Sequence, residues 1–141
     1  MSTLLSAINA SATGLDAQRA RMEVAVSNLA NAESTRTANG EPYRRREIVL
    51  EATQADGPMG SADVQASGVK VAAVLEDSAA FRRRYEPSHP DADADGFVAM
   101  PNVDVPEEMV DMLGAARAYQ ANLTAIGLIR DTIQKALELA K

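Results

Sequence analysis

The residues with the most obvious chemical potential lie between Tyr85 and Phe97. Asp91-Ala92-Asp93-Ala94-Asp95-Gly96 sets carboxylates at alternate positions ahead of a glycine. A calcium loop opens in this way, because such carboxylates can converge on one ion. The match ends there: the twelfth position, which should carry a bidentate Glu, is Asn102, and no helix is predicted just before Asp91. A solvated acidic loop is the favoured reading, with a calcium-binding protein as the alternative. His89 is the single histidine, flanked by Ser88 and Pro90. Hydrolytic chemistry with Asp91 or Asp93 would require an oriented partner or a metal. No recognisable spacing supplies one, so His89 reads as a turn residue. Arg44-Arg45-Arg46 and Arg82-Arg83-Arg84 could fork onto phosphates. In an acidic chain without interleaved aromatics, pairing with carboxylates within or between subunits is the better reading. No catalytic, cofactor-binding or metal-binding residue is therefore assigned.

The elements that must position these residues are bounded by composition. The chain has 141 residues, 46% of them apolar and 4% aromatic, with no Trp and no Cys. That fits one modest domain with long appendages and excludes disulfides and thiolate chemistry. A net charge of −6 argues against nucleic-acid binding. No Lys or Arg precedes Arg19, and polar residues interrupt the apolar stretch at the start, unlike a cleaved signal peptide. Apolar runs are far shorter than the roughly 20 residues of a membrane span.

Heptad periodicity marks both ends. Leu5, Ile8, Ala12, Leu15, Arg19, Met22, Val26 and Leu29 alternate three- and four-residue steps, predicting a helix over about Thr3 to Ala32 with Ser2 or Thr3 as cap. Met109, Met112, Ala116, Tyr119, Leu123, Ile126, Arg130, Ile133, Leu137 and Ala140 keep the same spacing, predicting a helix over about Val105 to Ala140. Asp104 with Glu107 resembles a capping box, and Pro106 suits a first turn. Arg19 and Arg130 interrupt the seams, where a polar residue either sets register or snorkels to the stripe edge.

Between the helices the period shortens. Arg45 to Glu51, Gly68 to Glu76 and Phe97 to Met100 read as strands, and 52–67 as a mobile loop. The predicted fold class is mainly α with a small β-rich insert, the long terminal helices forming a coiled coil. Three regions follow: a helix at 1–34, an insert at 35–103 and a second helix at 104–141. Even if the helices pair with each other, a two-helix hairpin leaves apolar surface facing water. Helices gain most of their stability by burying that surface, so the free chain is expected to be partly unfolded at its ends and to order on assembly.

At the helix ends the residues resemble a known family. Ala10-Ser11-Ala12-Thr13-Gly14-Leu15-Asp16-Ala17-Gln18-Arg19, then Ser27-Asn28-Leu29-Ala30-Asn31-Ala32 and Thr35, resemble the N-terminal signature of bacterial flagellar rod and hook proteins. Glu107-Glu108-Met109-Val110-Asp111-Met112 and Arg117-Ala118-Tyr119-Gln120-Ala121-Asn122 resemble its C-terminal partner motif. Pro42-Tyr43-Arg44-Arg45-Arg46, Tyr85 through Asp93, Gly96-Phe97-Val98 and Pro101-Asn102-Val103 narrow the likeness to the proximal rod. Phe97 stands where Tyr is usual, Glu86 where Asp is common and Glu33 where Asn is frequent, departures that spare the seams.

The resemblance implies a non-enzymatic subunit of the basal-body rod, the helical shaft that carries motor torque for motility. It implies export through the flagellar type III apparatus without a cleaved leader, and assembly in the periplasm. Partners would be further copies and other rod proteins, with no nucleic acid and no membrane insertion. The expected subunit-interface residues are the seam positions from Leu5 to Leu29 and from Met109 to Leu137, with Asn28, Asn31, Arg117 and Asn122 beside them. Asn28, Asn31, Tyr119 and Asn122 are expected to hydrogen-bond between helices and fix register.

Overall fold

The computed structural model describes residues 2–53 and 68–139. The element order is α1 (Ser2–Ala30), β1 (Arg46–Thr53), β2 (Gly68–Glu76), β3 (Arg82–Tyr85), β4 (Phe97–Met100) and α2 (Val105–Leu139). This is the mainly helical chain with a small β insert that the periodicity predicted. Most of the segment 52–67, read as a loop, lies outside the described residues; its first two residues, Ala52 and Thr53, belong instead to β1.

Several boundaries follow from side-chain chemistry. α1 opens at Ser2, earlier than a Ser2 or Thr3 cap would place it. Its other end falls at Ala30 rather than Ala32. Asn31 Nδ2 donates to the Ser27 carbonyl at 2.9 Å, and Asn31 Oδ1 accepts from Ser34 Oγ at 3.2 Å. The Ser27 carbonyl thus accepts from both the backbone and the side chain of Asn31, which closes the last turn and leads the chain away. Among the described residues Asn31 makes no bond to the other helix. α2 is capped by Asp104, whose Oδ1 accepts from the Glu107 backbone N–H at 3.3 Å. The return bond of the capping box is not made.

The two helices run antiparallel. Asn28 bonds to Glu108, and fourteen residues back along α1, Gly14 lies against Asn122, fourteen residues forward along α2. Equal steps along both helices mean a hairpin of constant register. A Cβ on Gly14 would stand 2.9 Å from Asn122 Nδ2, so the close approach uses the missing side chain. Small residues line the inner faces: Ala17, Ala25 and Ala32 on α1 and its exit, and Ala115 on α2, are all buried. At roughly 1.5 Å per residue the 35-residue α2 is about 52 Å long, outreaching the 29-residue α1.

The insert forms two separate two-stranded antiparallel sheets, β1–β2 and β3–β4. The first pairs Arg46 with Glu76 at its root and Thr53 with Gly68 at its far end, with a bulge between Val49 and Leu50. That hairpin lies along α1, where Thr13 Oγ1 accepts from the Val69 backbone N–H at 3.1 Å. β3 was missed in the sequence. Arg82, Arg83 and Arg84 give no apolar alternation, and the strand is held by its partner β4 and by side-chain pairing. The core sits where the insert meets the base of the helix hairpin, around Ala32, Tyr43, Val98, Met100 and Val103.

Candidate assembly surface

A buried polar node holds that base together. Asn28 on α1 is fully enclosed and uses its whole hydrogen-bonding capacity. Its Nδ2 donates to Glu108 Oε2 and to the Arg46 carbonyl, both at 2.9 Å. Its Oδ1 accepts from the Tyr43 hydroxyl at 3.0 Å and from the Arg46 backbone N–H at 2.9 Å. Asn28 thus bonds between the two helices of the single chain. Glu108, 2% exposed in its side chain, accepts from a second donor, the cation Arg45, at 2.5 Å. Arg45 also reaches Asp111 at 3.7 Å and pairs with Glu47. Burial works against the Arg45 charge, but the bonds and attraction from Glu108 and Glu47 outweigh it and raise its pKa above the ordinary value. Glu108 also lies in the first turn of α2, where the helix dipole favours an anion.

Asn102, which sequence comparison with a calcium loop had marked as a mismatch, is the second stitch. Its Oδ1 accepts from the Arg45 backbone N–H at 2.8 Å, and its Nδ2 donates to the Asp77 carbonyl at 3.3 Å. The Arg45 carbonyl accepts from Asp77 N–H at 2.8 Å. Every backbone polar group of Arg45 and Arg46 at the root of β1 is thereby satisfied, by Asn28 on one side and by Asn102 and Asp77 on the other.

The remaining sequence candidates resolve into structure. Asp91 accepts from Thr35 Oγ1 at 2.9 Å and from Arg36 at 3.3 Å. Asp93 accepts from the backbone N–H groups of Phe97 and Asp95 and from Arg83 at 2.6 Å. The Phe97 bond is the leading cause that holds the Asp93 carboxyl below its usual pKa, with Arg83 and Asp95 adding to it. Gly96 ends this turn at φ +80, a conformation that favours glycine. The Asp-x-Asp-Gly pattern is thus turn chemistry, with the Asp91 and Asp93 carboxylates taken by protein donors and Asp95 joining through its backbone N–H. Among the described residues no group of three or more His, Cys, Asp or Glu is placed to hold a metal. His89 Nδ1 accepts from the Asp91 backbone N–H at 3.1 Å, also within the turn.

Both arginine triplets pair mainly with carboxylates of their own chain. Arg44 reaches Glu41, Arg46 reaches Glu76, Arg83 reaches Asp93 and Arg84 reaches Glu86. Arg82 differs, donating to the Pro101 carbonyl at 3.3 Å. Arg44 and Arg83 also stack over Phe81 and Phe97, at 4.3 and 4.7 Å from the ring centroids.

The helix seams divide. Ile8, Ala12, Leu15, Met22 and Leu29 on α1 and Met112, Tyr119, Ile126 and Ile133 on α2 are half-buried in the single chain. Leu5, Arg19, Val26, Met109, Ala116, Arg117, Leu123, Arg130 and Leu137 face solvent. Arg19 pairs with Glu23 at 3.0 Å, one turn along an exposed face. Asn122 and Tyr119 make no hydrogen bond among the described residues of the single chain, and Gly14 lies against Asn122. α2 exposes further large apolar side chains, among them Val110 (71%), Leu113 and Leu128 (64%). Single exposed leucines are ordinary, but an apolar face repeated along a helix marks an interaction surface. Among the described residues no helix is long and apolar enough to cross a membrane.

Comparison with known proteins agrees with this architecture. Residues 94–139 match the family model described as flagellar basal body rod FlgEFG protein C-terminal. The flagellar basal-body rod protein FlgC of Salmonella typhimurium is 43% identical, over 98% of both chains. Its counterpart in Bacillus subtilis is 41% identical over 99% of both. That of Aquifex aeolicus is 37% identical over the full length of each. A helix hairpin with an outward apolar face, a β insert stitched to its base and full-length similarity at this level together establish that the chain belongs to the flagellar basal-body rod protein FlgC family.

Proposed function

We propose that this chain is a structural, non-enzymatic subunit of the bacterial flagellar basal-body rod, polymerising through its terminal helices into the helical shaft that passes motor torque outward. The observation that carries the reading is the apolar outer face of α2, where Val110, Leu113, Leu123, Leu128 and Leu137 stay in water in the single chain. Burial of apolar surface contributes about 25 cal/mol per Å², so neighbouring subunits that cover this face stabilise the assembly strongly. Contacts between unlike faces that do not close a ring propagate as a helix.

The proposed interface comprises the two seams with Asn28, Asn31, Arg117 and Asn122. Asn31 and Asn28 act there through their own chain, by setting the helix end and the hairpin base. Arg117 and Arg130, exposed on α2, are available to carboxylates of adjoining subunits, which are further copies and other rod proteins. Delivery by the flagellar type III export apparatus to a periplasmic rod is part of the same proposal and rests on the likeness of the terminal motifs to rod and hook proteins.

Deleting residues 1–20 tests the reading. The deletion removes the part of α1 that lies against Asn122 and Val69 but spares Asn28, Tyr43 and Glu108. The base and insert are expected to remain folded by circular dichroism, while rods and swimming are lost. Normal rod assembly by the truncated chain contradicts the proposal.

A further inference from the structure

We infer that Asn28, Asn102 and the Arg45–Glu108 pair form a torsional lock that fixes the angle of the β1–β2 hairpin against the helix pair. The inference deepens the rod-subunit reading and takes from it only the reason a stiff joint is useful. Two chain crossings join the insert to the helices, one after α1 and one before α2. A joint of that kind hinges freely unless side chains brace it, since hinges are a few terminal residues whose φ and ψ absorb the motion.

Bracing is what the node provides. The Asn28 amide donates to the Arg46 carbonyl and accepts from the Arg46 N–H, both at 2.9 Å, as a neighbouring strand would. It is rooted in α1 and tied to α2 through Glu108 at 2.9 Å. Asn102, just before α2, grips the other side of the same root through Arg45 N–H and the Asp77 carbonyl. The guanidinium of Arg45 then crosses from the root of β1 to the first turn of α2. Rotation of the hairpin about its root must break several of these bonds together, and Asn28 and Glu108 are buried, so a group left unpaired there is costly. Beyond the root both strands pack along α1, with one side-chain bond from Val69 N–H to Thr13. The polar bracing is concentrated at the root, where load applied to the insert passes into both helices.

The natural absence of cysteine allows a direct test on the full chain. Spin labels are attached to Leu75→Cys on β2 and Leu113→Cys on α2, both exposed, and pulsed electron resonance reads the distance distribution. The unaltered node is expected to give one narrow distribution. Glu108→Gln is expected to broaden it roughly twofold, as for a hinge released at its root. Should Glu108→Gln fold poorly, Tyr43→Phe removes one donor to Asn28, together with a contact to Ser27 Oγ, and is expected to give a smaller broadening in the same direction. Thr13→Val, which breaks the bond at the far end, is expected to leave the width near that of the parent. Node variants with unchanged width overturn the lock, as does Thr13→Val broadening the distribution more than they do. The readout needs no assembled rod, so it stands or falls apart from the assembly reading.

Discussion

Glu108→Ala is expected to remove about 3–5 kcal/mol of stability, the usual consequence of leaving one member of a buried ion pair without its partner. The carboxylate is 2% exposed and serves Arg45, itself 13% exposed, together with Asn28. Deleting it takes the buried acceptor from the Asn28 amide and leaves the Arg45 guanidinium only the more exposed carboxylates of Glu47 and Asp111. Small proteins are stable by about 5–15 kcal/mol, so a large share is at stake. Urea unfolding of the full chain, followed by circular dichroism, measures it. Glu23→Ala is the contrast: its partner Arg19 is 70% exposed, and such surface pairs contribute about 0.3–0.5 kcal/mol. Equal losses at the two sites would show that the node is no more important than a surface pair.

Leu123→Asp is expected to leave a folded, soluble chain that no longer polymerises. Leu123 is 47% exposed in the single chain, so the carboxylate stays solvated there and the fold survives. In the proposed assembly the same carboxylate would be buried against apolar neighbours, at a cost of several kcal/mol for the ion. Because about 1.4 kcal/mol corresponds to tenfold in affinity, assembly should require at least a hundredfold higher concentration. Sedimentation velocity of the variant and electron microscopy of basal bodies read the outcome. Ile8→Asp is expected to block assembly too, but it also perturbs a half-buried position, so Leu123 is the cleaner site.

The helices were legible because their apolar spacing persists over many turns, and β2 and β4 because short apolar runs are bounded by turn residues. The direction of the seams was less legible. The apolar spacing selects Met109, Ala116 and Leu123, which face outward, alternating with Met112, Tyr119 and Ile126, which are half-buried. The face turned to α1 lies one residue earlier, through Glu108, Ala115 and Asn122, opposite Asn28 and Gly14. Hydropathy gives such polar and small residues little weight, although close helix approach depends on them. The sequence therefore carries two stripes on α2, and only the outer one is conspicuous.

The node was legible in part. Asn28 stood out as polar in an apolar stretch, and the arginine triplets were matched to carboxylates in general. Which carboxylate meets which arginine depends on the fold, because Arg45 and Glu108 are 63 positions apart. Asn102 was seen as a failed calcium ligand and as part of the Pro101-Asn102-Val103 likeness, but its bonds to backbone groups leave no pattern in sequence. Likewise, alternating aspartates before a glycine serve a metal loop or a hydrogen-bonded turn. The choice rests on where Thr35, Arg36 and Arg83 place their donors.

The outer face of α2 can be probed by thiol accessibility, because the chain has no cysteine of its own. Leu113→Cys and Leu128→Cys place single thiols on that face. Both are expected to react rapidly with a water-soluble maleimide in the free chain and to be strongly protected in isolated basal bodies. Reaction in the assembled rod as fast as in the free chain would mean that no neighbour covers this face, and would contradict assembly through the terminal helices.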